Sequence, residues 1–138
     1  MVITNNKPTV VLADDHLGML DKVTEILGEE VLIVARVRDG ISSVHAAREF
    51  KPDILLLDVA MPGLNGIEAA REVRRFGLAS SIIFLTVQHD ADYIQISREM
   101  GASYVLKSKM NTDLLVAIQE ALAGRIFASS NGVARTRL

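Results

Sequence analysis

The chain has 138 residues, 49% hydrophobic but only 4% aromatic, which suits one domain with a core of Leu, Ile, Val and Ala. It holds no Cys and no Trp, which excludes disulfides, thiol catalysis and Cys-based zinc sites. With a formal charge of -2, no strong basic block, and no apolar run long enough for a signal peptide or a membrane span, the domain itself is expected to bind neither nucleic acid nor membrane.

A polar opening at residues 1–8 leads into a first strand at residues 9–13, an apolar run that stops at Asp14-Asp15. Leu17, Leu20, Val23 and Leu27 recur at helical spacing, and Gly28 marks the stop. Residues 31–37 read as a second strand ending at the turn pair Asp39-Gly40. Ile41, Val44 and Ala47 give one face of a second helix, which Lys51-Pro52 breaks, because a residue before proline is pushed from helical angles. Residues 53–58 are a third strand, closed by Asp58 and followed by Met61-Pro62-Gly63 and Gly66. Ile67, Ala70 and Val73 mark a third helix, and residues 81–86 a fourth strand closed by Thr86. A weaker helical pattern over residues 91–100 is closed by Gly101, and Tyr104-Val105-Leu106 is a short fifth strand followed by Lys107. Leu114, Leu115, Ile118, Ala121 and Leu122 mark a fifth helix, with Asn111 as its expected N-cap. Residues 124–138 read as a tail or linker with a polar middle at Ser129-Ser130-Asn131-Gly132.

Five strand–helix alternations predict an α/β fold, a (βα)5 doubly wound five-stranded parallel sheet with helices on both faces. Short, continuous β-branched and Leu runs suit strands buried on both sides. In such sheets ligands bind beyond the carboxyl ends of the strands. If the first and third strands are neighbours, Asp14, Asp15 and Asp58 meet at one sheet edge. Close carboxylates repel, so they must share protons or hold a cation, and an all-oxygen, acid-rich site suits Mg²⁺.

Taken singly, each residue has a plainer reading: a helix cap for Asp14-Asp15, turn chemistry for Asp58, an ordinary strand residue for Thr86 or Tyr104, a solvated lysine for Lys107. Chance placement of all of them at the correct strand ends is hard to accept. In this set, over residues 9–123, the chain resembles the receiver domain of bacterial response regulators, with a flavodoxin/CheY-like fold. Leu12-Ala13-Asp14-Asp15-His16 and the pair Lys107-Ser108 resemble the NarL/FixJ subgroup, most of whose members carry a C-terminal helix-turn-helix DNA-binding domain.

The resemblance implies roles. Asp58 takes a phosphoryl group from a sensor histidine kinase or a phosphotransfer protein. Asp15 and Asp58 ligate Mg²⁺, with Asp14 direct or through water and the Ala60 carbonyl as backbone ligand. Lys107 pairs with Asp58 and then with the phosphoryl oxygens. Thr86 hydrogen-bonds the phosphoryl group, and Tyr104 moves from exposed to buried as its switch partner. The chain would act as a cytoplasmic signalling phosphoacceptor that catalyses only its own phosphorylation and dephosphorylation. The output would be a homodimer, a protein partner gripped by the fourth helix, fifth strand and fifth helix or by the first and fifth helices, or transcription control through DNA bound by a separate or missing effector domain. Residues 124–130 resemble the start of the linker to such a domain, so a stand-alone receiver and a receiver cut from a transcription factor both fit.

Three rivals are weaker. Receiver-like modules that work without phosphorylation usually lack one of the acids or the lysine, and all are present. An aspartyl-nucleophile phosphatase needs an acid two residues after the nucleophile, where Ala60 stands. A flavin-binding flavodoxin-like site needs Ser, Thr and Gly where Asp14-Asp15 would repel phosphate. Ala60 and Gln88 occupy positions that govern water access in the family. Val87, bulkier than the usual small residue, is expected to slow small donors. His45 and His89 read as surface residues, His16 as a loop residue beside the site, Arg71, Arg74 and Arg75 as a solvated face, and Met100 and Met110 as packing residues.

Overall fold

The computed structural model describes residues 7–87 and 90–130. In chain order the elements are β1 Thr9–Ala13, α1 Leu17–Leu27, β2 Leu32–Val37, α2 Gly40–Phe50, β3 Ile54–Asp58, α3 Gly66–Arg75, β4 Ser81–Thr86, α4 Ala91–Glu99, β5 Ser103–Leu106 and α5 Met110–Leu122. The strands form one sheet in the order β2-β1-β3-β4-β5, and every pair is parallel. The chain therefore winds outward from β1 in one direction and from β3 in the other. This leaves a crevice at the carboxyl ends of β1 and β3, where the order reverses.

Side chains alternate across the strands and so feed two cores. Val10, Leu12, Ile54, Leu56, Ile83 and Leu85 pack under α1 and α5 with Leu20, Val23, Leu114 and Ile118. Val11, Ala13, Leu55, Leu57, Ile82 and Phe84 pack under α2 and α3 with Val44, Ala47, Ile67, Ala70 and Val73, and α4 adds Tyr93 and Ile96 at the margin. Burial on both faces is why β1, β3 and β4 are almost wholly apolar up to their last residue.

Local signals set the helix starts. Asp39 accepts from Ser42 N at α2, and Asp90 accepts from Asp92 N at α4. Asn65 and Glu68 form a reciprocal capping box at α3, with bonds of 2.8 and 2.9 Å. Gly66 lies against the end of β3: a Cβ there would collide with the Asp58 carbonyl and stand 3.0 Å from Val59 Cα. A larger residue would push α3 away from the acid it supports.

Four expectations need correction. Asn111 is not an N-cap: a 3-10 turn over Lys107–Lys109 runs straight into α5, so Asn111 lies inside the helix and Lys109 occupies the cap position without a side-chain bond. Ile41 and Leu17, the first members of their stripes, are 54% and 56% exposed, because the helix ends overhang the sheet. Arg74 is half-buried, its guanidinium donating to the carbonyls of Leu78 and Ser80. Val31 falls in the turn before β2.

The segment after α5 is not a loose tail through residue 129. Phe127 O accepts from Tyr104 N at 2.8 Å, Ser129 N donates to Tyr104 O at 2.9 Å, and Ala128 bridges Tyr104 in the parallel sense. Ser129 is buried; its hydroxyl accepts from Leu106 N at 3.1 Å and donates to Asp113 Oδ2 at 2.7 Å. Phe127 N donates to Ser103 Oγ at 3.0 Å. The segment thus covers the free edge of β5.

Candidate functional site

Each strand of the inner sheet delivers a polar group at its carboxyl end because apolar packing ceases there. Asp14 follows β1 and is fully buried; its amide donates to Val37 O, and its Oδ1 accepts from His16 N at 2.9 Å. Asp15 is partly exposed, and its carbonyl accepts from Arg38 at 3.1 Å. Asp58 ends β3 and is 4% exposed, with Oδ1 accepting from Ala60 N at 3.2 Å. Lys107 follows β5, and its Nζ stands 2.9 Å from Asp14 Oδ2 and 3.3 Å from Asp58 Oδ1. The ammonium therefore ties the ends of three strands together in one charged contact.

One ammonium does not balance three carboxylates. Burial pushes the Asp58 carboxyl up from 3.8 to about 6, Lys107 opposes that rise, and Asp14 adds to it. Asp15 Oδ1 is buried without a hydrogen-bond donor. Ligand atoms from Asp14, Asp15, His16 and Asp58 all lie within 4.8 Å of one another. An orphaned carboxylate oxygen amid surplus negative charge fits a divalent cation, and its oxygen-rich donors suit a hard one.

Above Asp58 opens a cavity of about 320 Å³ lined by His16, Val59, Ala60, Thr86, Val87, Tyr93 and Lys107. Val87 stands at its rim, 75% exposed. Thr86 is buried and hydrogen-bonded through its side chain to Tyr104. Tyr104 is 1% exposed, and its hydroxyl also accepts from Asp90 N at 3.2 Å at the start of α4. Burial raises the Tyr104 pKa. The structure therefore holds Tyr104 inward, in contact with both Thr86 and the α4 cap.

Asp14, Asp15, Asp58, Thr86 and Lys107 thus come together at one end of the sheet, with Ala60 beside Asp58 and Tyr104 one step behind Thr86. Gln88 and His89 lie outside the described residues. Two cavity residues, Val59 and Tyr93, were not singled out from sequence. Tyr93 belongs to a helix of weak pattern and reaches the site only because α4 packs beside β5. His16, expected as a loop residue beside the site, turns its Nδ1 toward the acids. A larger hollow of about 800 Å³ lies at the far end of the sheet, beside Arg48, Lys51 and Phe76. The Ser80 hydroxyl on its wall already donates to Pro52 O, and Arg48 stacks on the Phe76 ring at 4.0 Å.

Comparison with known proteins gives a consistent result. Residues 10–120 match the family described as the response regulator receiver domain. The chain is 30% identical over 131 residues to the nitrate/nitrite response regulator protein NarL of Escherichia coli strain K12, covering 92% of this chain and 61% of that protein. It is 30% identical to the transcriptional regulatory protein DegU of Brevibacillus brevis, covering 88% and 52%. The chain therefore spans about half to three-fifths of the length of these relatives. Among solved structures, a LuxR-family two-component response regulator from Aurantimonas sp. SI85-9A1 superposes with a TM-score of 0.83 at 30% identity, covering 91% of each chain. The isolated receiver domain of RcsB from Salmonella enterica serovar Typhimurium, in the presence of phosphomimetic BeF3-, gives 0.81 at 26% identity, covering 90% and 94%.

Proposed function

This chain belongs to the response regulator receiver domain family, and from that premise we propose that Asp58 accepts a phosphoryl group from the phosphohistidine of a sensor histidine kinase or phosphotransfer protein. An Asp58 carboxylate oxygen forms the new P–O bond, and the P–N bond to the donor histidine breaks. Small donors such as acetyl phosphate would serve by the same route. The observation that carries this is Lys107 Nζ set between Asp14 and Asp58 at the floor of an open cavity. Phosphoryl transfer asks the protein mainly for positioning and charge neutralisation.

Asp15 and Asp58, with Asp14 direct or through water and the Ala60 carbonyl, would hold Mg²⁺. When bound, it would offset the negative charge of the carboxylates and of the incoming phosphoryl oxygens. Lys107 then exchanges part of its contact with Asp58 for the phosphoryl oxygens. Ala60, lacking a polar side chain, neither orients nor blocks water for hydrolysis. The chain would promote only its own phosphorylation and dephosphorylation.

Thr86 is the first link in the response. Its hydroxyl, now bonded to Tyr104, would turn to the phosphoryl group, which adds charge and strong acceptor oxygens. Tyr104 would be released to a new balance between α4 and the segment on β5. Populations would shift by whatever free energy separates the two arrangements, a few kcal/mol being enough. Residues 9–123 would form the switching unit, with residues 124–138 as a tail or linker. Output would run through a second copy of the chain, a protein partner on the α4–β5–α5 or α1–α5 face, or DNA bound by a helix-turn-helix domain in a longer chain. No described helix is long and apolar enough to cross a membrane, and a cytoplasmic site of action fits the family.

The test is intact-mass spectrometry after incubation with acetyl phosphate and Mg²⁺, with Asp58→Asn alongside. One phosphoryl adduct on the parent and none on the variant is the expected result. An adduct retained by the variant would remove Asp58 as acceptor.

A further inference from the structure

Resting on the cation reading of the acidic cluster, we propose that His16 supplies a nitrogen ligand, so that the site takes borderline divalent ions such as Co²⁺ and Zn²⁺ more readily than oxygen ligands alone would. Three observations converge on its Nδ1. It stands 3.1 Å from Asp15 Oδ1 and 3.6 Å from Asp14 Oδ1. Two donors bound cis to one ion at bond lengths near 2.1 Å stand about 3 Å apart, and opposed donors about 4.2 Å. The ligand atoms of the four-residue set lie within 4.8 Å of one another, a spread that small side-chain rotations would close onto a single ion.

The second observation is that His16 has no structural use for this nitrogen. It occupies the N-cap position of α1, where a side chain would ordinarily accept from the first turn, yet it makes no capping bond. Its backbone is fixed by the bond from its own amide to Asp14 Oδ1, which aims the side chain back at the acids. The side chain is 76% exposed, so apolar packing does not hold it there. The third is Asp15 Oδ1, buried and without a hydrogen-bond donor, directly facing that nitrogen. Where Nδ1 carries no proton, its lone pair and the carboxylate oxygen repel at this distance, and a cation held by both removes that repulsion.

Imidazole is a donor that Mg²⁺ uses little and the later divalent ions use well. Removing His16 should therefore separate the ions: Mg²⁺ affinity stays within about twofold, whereas Co²⁺ and Zn²⁺ affinities fall roughly tenfold or more. Affinities of the parent, His16→Ala and His16→Gln would be measured by titration calorimetry with each metal salt, with circular dichroism to establish that the variants are folded. Pulsed electron paramagnetic resonance of the Mn²⁺-loaded parent should carry ¹⁴N modulation from a coordinated imidazole, absent from both variants. Equal losses for Mg²⁺ and Zn²⁺, or a parent spectrum without ¹⁴N modulation, would overturn the ligand role and leave His16 as an ion-pair partner of Asp15. A parent that binds no divalent ion would overturn the cation reading itself, and this inference with it.

Discussion

Asp58 sits at the point where burial and chemistry oppose each other. The role proposed for it needs an anion, yet the folded protein holds its pKa at about 6 against 3.8 for the free group. A carboxyl raised in this way binds its proton more tightly when folded. The penalty is absent below the unfolded value, grows between about pH 4 and 6, and is fully present above it. Asp58→Asn removes it. The variant should therefore melt higher than the metal-free parent at pH 7–8, by a margin worth roughly 2–3 kcal/mol, and the margin should shrink as pH falls toward 4. Thermal melts across that range check the sign. Adding Mg²⁺ should raise the parent's melting temperature and leave the variant's nearly unmoved, because a ligand stabilises only the fold that binds it. Val87 offers a kinetic counterpart at the same scale. It stands exposed on the cavity rim, and Val87→Ala should label faster with acetyl phosphate by intact-mass time course; equal rates would remove the rim as a barrier.

At the scale of elements, the joints matter more than the strands themselves. Gly66 allows α3 to start in contact with the Asp58 backbone. Gly66→Ala should cost about 1–3 kcal/mol by denaturant unfolding, as overpacking does, and should slow labelling of Asp58 by displacing it. Ser129 joins the terminal segment to Leu106 and Asp113. Ser129→Ala leaves a strand amide without its acceptor and should cost about 1–2 kcal/mol, with faster hydrogen exchange at Leu106 as the local sign. Strands β1, β3, β4 and β5 were legible because each is a short, mostly apolar run buried on both faces that stops at a polar or charged residue. The site was legible for the same reason: Asp14, Asp58, Thr86 and Lys107 are those stopping residues. The start of α5 was not, because Lys107-Ser108-Lys109 carries no cap signal and helical geometry simply continues from a 3-10 turn. Nor was the pairing of residues 127–129, since Phe-Ala-Ser resembles loop sequence until the bare edge of β5 is in view. The exposure of Ile41 depends on where α2 overhangs the sheet, which periodicity alone does not encode.

For the whole molecule, the two cores place the acidic end and the covering segment on one continuous path. Thr86 touches Tyr104 through its side chain, and Tyr104 holds both Asp90 and, through its own amide and carbonyl, residues 127 and 129. Loading the protein with beryllofluoride and Mg²⁺ should therefore alter hydrogen exchange at Tyr104, Ser129 and the first turn of α4 together. A change near Thr86 with unaltered protection at Ser129 would mean that the path ends before the terminal segment. Size measurement of the loaded and unloaded protein would then tell whether a second copy joins on the same face.

The direction of the bridge on β5 sets where the chain departs. Helix α5 runs back along the sheet, so a chain leaving from its last turn would depart at the end remote from Asp58. Because Ala128 bridges Tyr104 in the parallel sense, the backbone reverses once more and runs toward the end of the sheet that holds Asp58. At Ser130 the described chain is therefore at the sheet end that carries the acidic cluster, not at the end where α5 stops. If Asp58 is labelled as proposed, a bulky group attached at Ser130 should slow labelling by a protein donor more than the same group at the loop near Gly77, as intact-mass time courses would read.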